Sequence, residues 1–273
     1  MSACPVCGGA AGEYLHGLES CGACGLAFAN EKYLGAPVYA PGIEDDIYVS
    51  AKERLFEEAL DRLEELRPAK GALLDVGCAG GELLKAAAAR GWRASGVEPD
   101  PELARKAKTA GFEVSPLSVE EAMLDKAAFD AITVFEAFCL MDKPGAVLAE
   151  LYSLLRPGGV IYIREFNAAF HLPLARLASA GLFRPLEMKP SVLHNFNFRE
   201  RTLRFMLERV GLGNIVVRNS RPTRGDPYRT GGRLGGFLTG LLKVLYYWLA
   251  QAVWAATLGR VFIGSALIVT ARK

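Results

Sequence analysis

The sequence predicts an α/β protein whose mostly parallel sheet is covered by helices on both faces and preceded by a small metal-binding module. Short apolar runs alternate with helical segments from residue 72 onward. Two Cys-x-x-Cys pairs stand near the start of the chain. The chain has 273 residues, 51% of them hydrophobic, which is enough to bury a full core and excludes a disordered or collagen-like protein.

Residues 1–30 are predicted to form a zinc ribbon, because each Cys-x-x-Cys pair can present two thiolates to one tetrahedral ion. We see no basic, apolar leader, so we expect a reduced, cytoplasmic protein whose paired cysteines bind metal rather than form disulfides. A pair of redox dithiols is the alternative. His16 is expected to be a surface residue, since four cysteines already complete the site. The predicted ligands are Cys4, Cys7, Cys21 and Cys24.

A linker and a leading helix are predicted over residues 31–67, where Leu55, Ala59 and Leu63 recur at helical spacing. The pair Arg67-Pro68 ends this helix. The alternating part of the chain follows. We predict strands at 72–76, 93–98, 112–114, 129–135 and 160–166, and helices at 81–91, 101–111 and 145–159.

The first strand of this sheet leads into a glycine turn, DVGCAGG, whose glycines allow a sharp bend and a close approach to a ligand. Glu98 follows Gly81 by seventeen residues and ends the second strand, where a carboxylate can accept hydrogen bonds from both hydroxyls of a ribose. The turn does not match the dinucleotide pattern G-x-G-x-x-G, because Ala79 stands at its second glycine.

The segments DVGCAGG, GVEPD, FDAITVFEAF and LLRPGGVIYI resemble the class I S-adenosylmethionine-dependent methyltransferases over residues 50–273. The resemblance implies a seven-stranded Rossmann-like methyltransferase sheet at 68–273 with an antiparallel last strand at 264–273. It also implies that S-adenosyl-L-methionine is the cofactor. Asp75, Gly77 and Gly81 match the family's first motif, with alanine replacing its middle glycine. The implied cofactor-binding residues are Asp75, Gly77, Cys78, Ala79, Gly81, Glu98, Pro99 and Phe135, the last as a wall of the methionine pocket.

Methyl transfer to a hydroxyl needs positioning and benefits from a general base. In the family the stretch after the fourth strand carries a Glu-His pair, which is replaced here by Cys139 and Leu140. His194, in a segment that resembles the family's H-x-x-x-F, is the predicted base, and a surface or capping histidine is the alternative. His171 is a second candidate. The expected catalytic residues are therefore His194 and Glu136, with Glu136 and Glu165 able to orient the acceptor or contact the cofactor.

Two segments flank the predicted acceptor side. Residues 167–198 are predicted to form an acceptor lid, with a passive surface insertion as the alternative. Residues 234–258 form an apolar helix before the last strand. Three interpretations remain open for this helix: packing on the body or on the partner of a homodimer, an interfacial membrane helix, and a full membrane span.

Charge is uneven along the chain, although its formal net charge is only +2. Residues 216–273 hold nine lysines or arginines and one acid, Asp226, while the remainder is acidic. An arginine-rich loop at 218–233 could clamp a phosphate, and a solvated charge run is the alternative. We therefore expect a cytoplasmic protein that is peripheral to a membrane if residues 234–258 dock on one.

The predicted function is transfer of a methyl group from S-adenosyl-L-methionine to a small-molecule acceptor, with a sugar or a lipid-linked glycan as candidates. One alternative is a degenerate scaffold that binds the cofactor without turnover, suggested by the missing Glu-His pair. Another is a nucleic-acid methyltransferase, suggested by the ribbon and the arginines. The acidic remainder and the absence of an Asn/Asp-Pro-Pro-Tyr motif argue against a nucleic-acid partner.

Overall fold

A computed structural model describes residues 2–15, 17–29, 52–182, 192–224 and 233–273. The predicted linker at 31–50 and His16 lie outside these residues. The N-terminal module is an antiparallel sheet in which each Cys-x-x-Cys turn precedes or follows a strand. Its strands are β1 (Ser2–Ala3), β2 (Ala10–Leu15), β3 (Leu18–Cys21) and β4 (Ala27–Ala29).

A fifth strand joins this small sheet from a distant part of the chain. Strand β10 (Phe196–Asn197) pairs antiparallel with β4, with Phe196 opposite Phe28. The sheet order is β1-β2-β3-β4-β10. The side chain of Thr202 also donates to the Cys24 carbonyl at 2.8 Å. The ribbon is therefore joined to the rest of the protein by backbone hydrogen bonds between strands as well as by the chain itself.

The main sheet has seven strands in the order β11-β12-β9-β8-β5-β6-β7. The five strands from β9 to β7 run parallel, and β12 runs antiparallel to both of its neighbours. This confirms the predicted fold class and the antiparallel last strand. The strands are β5 (Ala72–Val76), β6 (Arg93–Val97), β7 (Glu113–Ser115), β8 (Phe129–Phe135), β9 (Leu155–Phe166), β11 (Gly213–Asn219) and β12 (Ala266–Arg272).

Helices cover this sheet. The first, α1 (Glu53–Leu66), buries Leu55, Ala59 and Leu63, as the spacing predicts. The others are α2 (Glu82–Ala89), α3 (Pro101–Thr109), α4 (Pro144–Leu154), α5 (Ala168–Ser179), α6 (Glu200–Arg209) and α7 (Arg233–Ala256). A short 3₁₀ turn lies at Phe138–Leu140. Because β6 and β7 extend the sheet to one side of β5 while β8 and β9 extend it to the other, the carboxyl ends of β5 and β8 flank the point where ligands bind in such sheets.

The predicted helix at 145–159 is too long by five residues. Leu155 already pairs with Phe129 of β8, and the chain then bulges before Val160 pairs with Ala131. The two glycines of the Pro-Gly-Gly turn exchange backbone hydrogen bonds with Lys273 instead of continuing the helix. Pairing with β8 and with the chain end thus decides where α4 stops, which local helix signals do not reveal.

The leucines of α7 face solvent. Leu242 is 61% exposed, Leu245 57% and Leu249 53%. The helix contacts the body through its other side, where the Tyr246 hydroxyl donates to the Ile263 carbonyl at 2.8 Å and Asn219 donates to the Ala250 carbonyl at 3.1 Å. The helix thus packs on the body, but these leucines are not part of the contact. Within the described residues we find no helix whose length and hydropathy would suffice to cross a membrane.

Candidate active site

The turn between β5 and α2 bends back over the carboxyl end of the sheet. Gly77 has a φ of +75°, and a Cβ added to it would lie 2.8 Å from the Cβ of Ala137. Gly81 caps α2 at a φ of +89°, and Ala79 adopts a φ of +46°. Only glycine adopts the first two conformations without strain. The turn therefore presents its backbone closely to the space above β5 and β8.

Glu98 holds this turn in place from the end of β6. Its carboxylate is buried and accepts from the backbone N–H of Ala79 at 2.9 Å and from that of Asp100 at 3.0 Å. An ionised carboxylate offers about four lone-pair positions, so two remain for the hydroxyls of a ribose. The structure thus places Glu98 beside the glycine turn, as the resemblance implies.

The other expected cofactor residues differ in their surroundings. Asp75 is buried and accepts from the Thr133 hydroxyl at 2.6 Å, while burial and the charge of Glu98 raise its pKa to about 7. Cys78 turns its thiol into the core between α2 and α3, so only its backbone faces the turn. Pro99 is exposed beside Glu98.

Phe135 points into the core between the sheet and α1. Its ring lies 5.1 Å from that of Phe56 and stacks on that of Tyr162 at 5.4 Å. Both neighbours belong to the same buried cluster as α1. The backbone of Phe135 is still at the carboxyl end of β8, but its described ring contacts are with the core. The role of its side chain as a pocket wall stays a prediction.

Glu136, which directly follows β8, is the centre of a buried ion cluster. It adopts a φ of +54°, and its carboxylate contacts Lys52 Nζ at 2.6 Å and the guanidinium of Arg164. Arg164 also donates to the Ser220 hydroxyl at 2.8 Å and to the Arg221 carbonyl at 3.1 Å. Burial and the charge of Arg164 lower the pKa of Lys52 to about 7. With two cations on its carboxylate, Glu136 is suited to fixing charge and is a poor proton acceptor.

Sequence reasoning missed Lys52 and Arg164. Arg164 carries a signal, since it interrupts the apolar strand VIYIREF. Lys52 carries none, because a lysine before a charged helix resembles any surface residue. Glu165 lies beside this cluster and accepts from the backbone N–H of Phe138 at 2.7 Å, while its second oxygen is buried without a described partner. Burial raises the pKa of Glu165 to about 7.

The two histidines flank Phe166 at the end of β9. The Phe166 ring lies 5.6 Å from the His171 ring and 5.3 Å from the His194 ring. Both nitrogens of His171 are engaged: Val192 N–H donates to its Nδ1 at 3.1 Å, so its Nε2 donates to the Ser265 carbonyl at 2.9 Å. His171 therefore has no nitrogen left to accept a proton.

His194 keeps a buried Nε2 that has no hydrogen-bond partner among the described residues. The ribbon fixes its backbone, since Asn197 bonds both the N–H and the carbonyl of His194 and also reaches the Ala27 carbonyl of β4. Burial lowers its pKa to about 4, so the imidazole is neutral at physiological pH. The vacant Nε2 can therefore accept a hydrogen bond from a hydroxyl, while the same burial makes this imidazole a weaker base than a free histidine.

We expect the His194 ring to titrate near pH 4 in the folded protein. Burial disfavours the imidazolium, so the neutral form persists as the pH falls well below 6.5, the ordinary value for histidine. Heteronuclear NMR of the imidazole nitrogens from pH 8 to pH 4 measures the midpoint, with His194→Gln to assign the signal. A midpoint near 6.5 would contradict the burial of this ring.

The four cysteines of the ribbon converge. Their sulfurs all lie within 4.8 Å of one another, with Cys4 and Cys24 at 3.6 Å and Cys7 and Cys21 at 3.5 Å. Four thiolates bound tetrahedrally to zinc at about 2.3 Å are about 3.8 Å apart. All four sulfurs are free thiols in this structure. The donor set therefore fits one zinc ion.

Residues 48–217 match the family described as the methyltransferase domain. The chain belongs to this methyltransferase family. This match confirms the resemblance to the class I S-adenosylmethionine-dependent methyltransferases that the sequence motifs indicate, in both family and fold. A solved S-adenosylmethionine-dependent methyltransferase from Archaeoglobus fulgidus superposes with a TM-score of 0.56 at 16% identity, over 85% of this chain and 98% of that one.

Two curated relatives of this methyltransferase carry the name ubiquinone biosynthesis O-methyltransferase. The protein from Xanthomonas axonopodis pv. citri is 34% identical over 132 residues, which is 42% of this chain and 55% of the relative. The protein from Xylella fastidiosa is 29% identical over 185 residues, which is 64% of this chain and 73% of the relative. The methyltransferase described here thus spans little more than half the length of the first of them.

Proposed function

We propose that this methyltransferase transfers the methyl group of S-adenosyl-L-methionine to a hydroxyl of a small-molecule acceptor. The observation that carries the proposal is that three features lie at the same edge of the main sheet, where its parallel strands end. These are the glycine turn after β5, the carboxylate of Glu98 after β6, and the vacant nitrogen of His194 against the end of β9.

The residues at the switch point suit this cofactor. The backbone of the glycine turn and the two remaining lone-pair positions of Glu98 would hold the nucleoside, with Asp75 as a further cofactor-binding residue. The bound cofactor supplies an activated methyl group on a sulfonium, so the protein has mainly to position the acceptor and take up its proton. The carboxylate of Glu136 offsets part of the positive charge of Lys52 and Arg164.

His194 is proposed as the general base. Its Nε2 would accept the proton of the acceptor hydroxyl as the methyl group is transferred, and the neutral form needed for this is the one that burial favours. The Phe166 ring packs against the His194 ring and also contacts His171, and these flat rings favour a hydroxylated aromatic acceptor. The name of the two relatives supports methylation on oxygen. A sugar or lipid-linked glycan hydroxyl is the other acceptor class.

Zinc in the ribbon is proposed to be structural. A site with four cysteine ligands has no open position for substrate. Its part in the reaction is to hold β4, and through β10 the backbone of His194, in one geometry. Residues 167–198, of which 167–182 and 192–198 are described, would close over the acceptor as the proposed lid.

The cofactor part of the proposal predicts that Glu98→Ala weakens binding of S-adenosylhomocysteine by roughly ten- to a hundredfold, the effect of losing charged hydrogen bonds. Titration calorimetry measures this affinity. Glu102→Ala is the matched control, because Glu102 lies on the exposed start of α3 and pairs with Arg105 at the surface. An equal loss of affinity in both variants would show that Glu98 does not contact the cofactor.

Turnover is tested with a radiolabelled methyl donor against hydroxylated aromatic acceptors and against sugars. We expect transfer to an aromatic hydroxyl that His194→Gln lowers strongly while cofactor affinity stays unchanged. Cofactor binding without transfer to any acceptor would instead favour the degenerate scaffold. Absence of cofactor binding would overturn the proposal.

The remaining proposals concern partners. The exposed leucines of α7 support an intermolecular partner for this face, either a membrane surface or a second copy of the chain. A nucleic-acid partner is not proposed, since the acidic remainder of the chain opposes it.

A further inference from the structure

We propose that α7 and the cleft beneath it form a docking surface for an anionic phospholipid bilayer. The cleft, of about 190 Å³, lies between α1, the face of the sheet and α7. We call it the arginine cleft because Arg62, Arg218 and Arg221 line it, with Glu58 as its single carboxylate. The leucine face of α7 would enter the bilayer surface while the cleft receives a lipid phosphate.

The apolar half of this surface is the outer side of α7. Leu242, Leu245 and Leu249 are each more than half exposed, and Trp248 is 60% exposed. The positions recur every three or four residues, so they form one continuous stripe along the helix. Leu258, just beyond the helix end, is also 84% exposed. An apolar helical stripe that includes tryptophan is the arrangement that lies in the plane of a membrane interface.

The charged half adjoins the stripe directly. The guanidinium of Arg221 lies 5.6 Å from the centre of the Tyr247 ring, and that ring meets Trp248 edge to face at 5.6 Å. Tyr247 therefore joins the arginine cleft to the exposed face of the helix. A bilayer surface presents phosphates next to acyl chains. The arginine cleft and the leucine stripe lie next to each other in the same way.

The charges of the cleft are only partly compensated. Arg221 pairs with Glu58 at 2.8 Å and Arg62 with Glu65 at 2.7 Å. Arg218 is exposed and has no ion pair among the described residues. Three guanidinium groups against one lining carboxylate leave the cleft positive, and residues 216–273 as a whole carry nine basic residues and one acid. An anionic phosphate complements this charge.

Charge also decides between a bilayer and a second copy of the chain. In a two-fold symmetric dimer the same patch meets itself, so the arginines around the leucine stripe would face arginines. On an anionic leaflet, by contrast, each basic residue near the surface strengthens binding of the protein about fivefold. The docking surface uses no residue of the proposed catalytic or cofactor site, so it stands or falls independently of the proposed methyl transfer.

The test is flotation of the full chain with vesicles of phosphatidylcholine alone or with 30% phosphatidylglycerol, at low and high salt. We expect co-flotation that grows with the anionic lipid and falls with salt. Arg218→Glu should lower the partition coefficient roughly tenfold or more, since two charges change. Arg105→Glu, an equally exposed change on α3, is the matched control and should leave it unaltered.

The apolar half is tested by Leu245→Gln and by the emission of Trp248. Leu245→Gln should reduce flotation, while Met123→Gln, at an apolar position that is 91% exposed elsewhere, should not. Vesicles should shift the tryptophan emission to shorter wavelength, and Trp248→Phe should abolish the shift. An unchanged circular dichroism spectrum of each variant shows that it folds.

Three outcomes would overturn the proposal. If flotation with neutral vesicles equals that with anionic vesicles, the arginine cleft does not bind lipid phosphate. Binding of inorganic phosphate by the cleft without any flotation would make it a site for a free anion. A dimer that sediments as such, ignores vesicles and dissociates in Leu245→Gln would assign the stripe to a second copy.

Discussion

Replacing Cys24 with serine is expected to abolish zinc binding and to loosen the segment that carries His194. The wild-type chain should hold one zinc ion, because the four sulfurs already lie within 4.8 Å of one another. Loss of one thiolate removes a large part of a binding free energy that is about 10–16 kcal/mol for structural zinc, and the ribbon is too small to fold on its core alone.

The effect should spread to the body through β10. The backbone N–H of Ala29 donates to the Asn195 carbonyl at 2.9 Å, and Phe28 faces Phe196 in the strand pair. Hydrogen exchange should therefore quicken at these amides in Cys24→Ser, while the amides of β5 and β8 keep their protection. Elemental analysis gives the zinc content of the same samples.

Cys139→Ser is the matched control, since Cys139 is a buried cysteine outside the ribbon. It should retain one zinc ion and the exchange pattern of the wild type at 194–198. The prediction fails if Cys24→Ser binds zinc as the wild type does. It also fails if zinc is lost and the amides of β10 stay protected.

Replacing Arg164 with leucine is expected to lower the free energy of unfolding by about 3–5 kcal/mol, the usual cost of leaving one partner of a buried ion pair alone. The substitution removes one of the two cations on Glu136 and one donor each from the Ser220 hydroxyl and the Arg221 carbonyl, which still accepts from the Ser220 hydroxyl. Urea unfolding followed by circular dichroism measures the change.

Arg54→Leu provides the comparison. Arg54 also pairs with a glutamate, Glu58, but its side chain is 71% exposed, so its loss should cost under about 0.5 kcal/mol. Arg164→Lys keeps the charge and should recover part of the stability. A loss of less than about 1 kcal/mol in Arg164→Leu would mean that the buried cluster contributes little to the folded state.

The sequence predicts what depends on local signals. The glycine turn, Glu98 and the cysteine pairs each carry a fixed spacing whose physical reason is known, and the structure places Glu98 on the turn and the four sulfurs together. The alternation of strands and helices predicts the parallel sheet. Each of these features is determined by residues that are close together in the sequence.

Long-range contacts account for what sequence reasoning missed. The strand pair between β4 and β10 involves two residues of each strand, too few for a recognisable pattern. Lys52 reaches Glu136 across 84 positions of the chain, and the bulge of β9 ends α4 early. The exposure of the α7 leucines likewise depends on which side of the helix meets β11 and the loop before β12, a question that hydropathy does not answer.

The pairing of β4 with β10 has a consequence for the order of events during synthesis. The ribosome delivers all four cysteines within the first 24 residues, but Phe196 emerges only after about 165 further residues beyond β4. At 5–20 residues per second this interval lasts roughly ten to thirty seconds. During that time the nascent ribbon can load its metal while the edge of β4 stays open, exposed to chaperones and to neighbouring chains. Completion of the N-terminal module is thus one of the late steps in the biogenesis of the molecule.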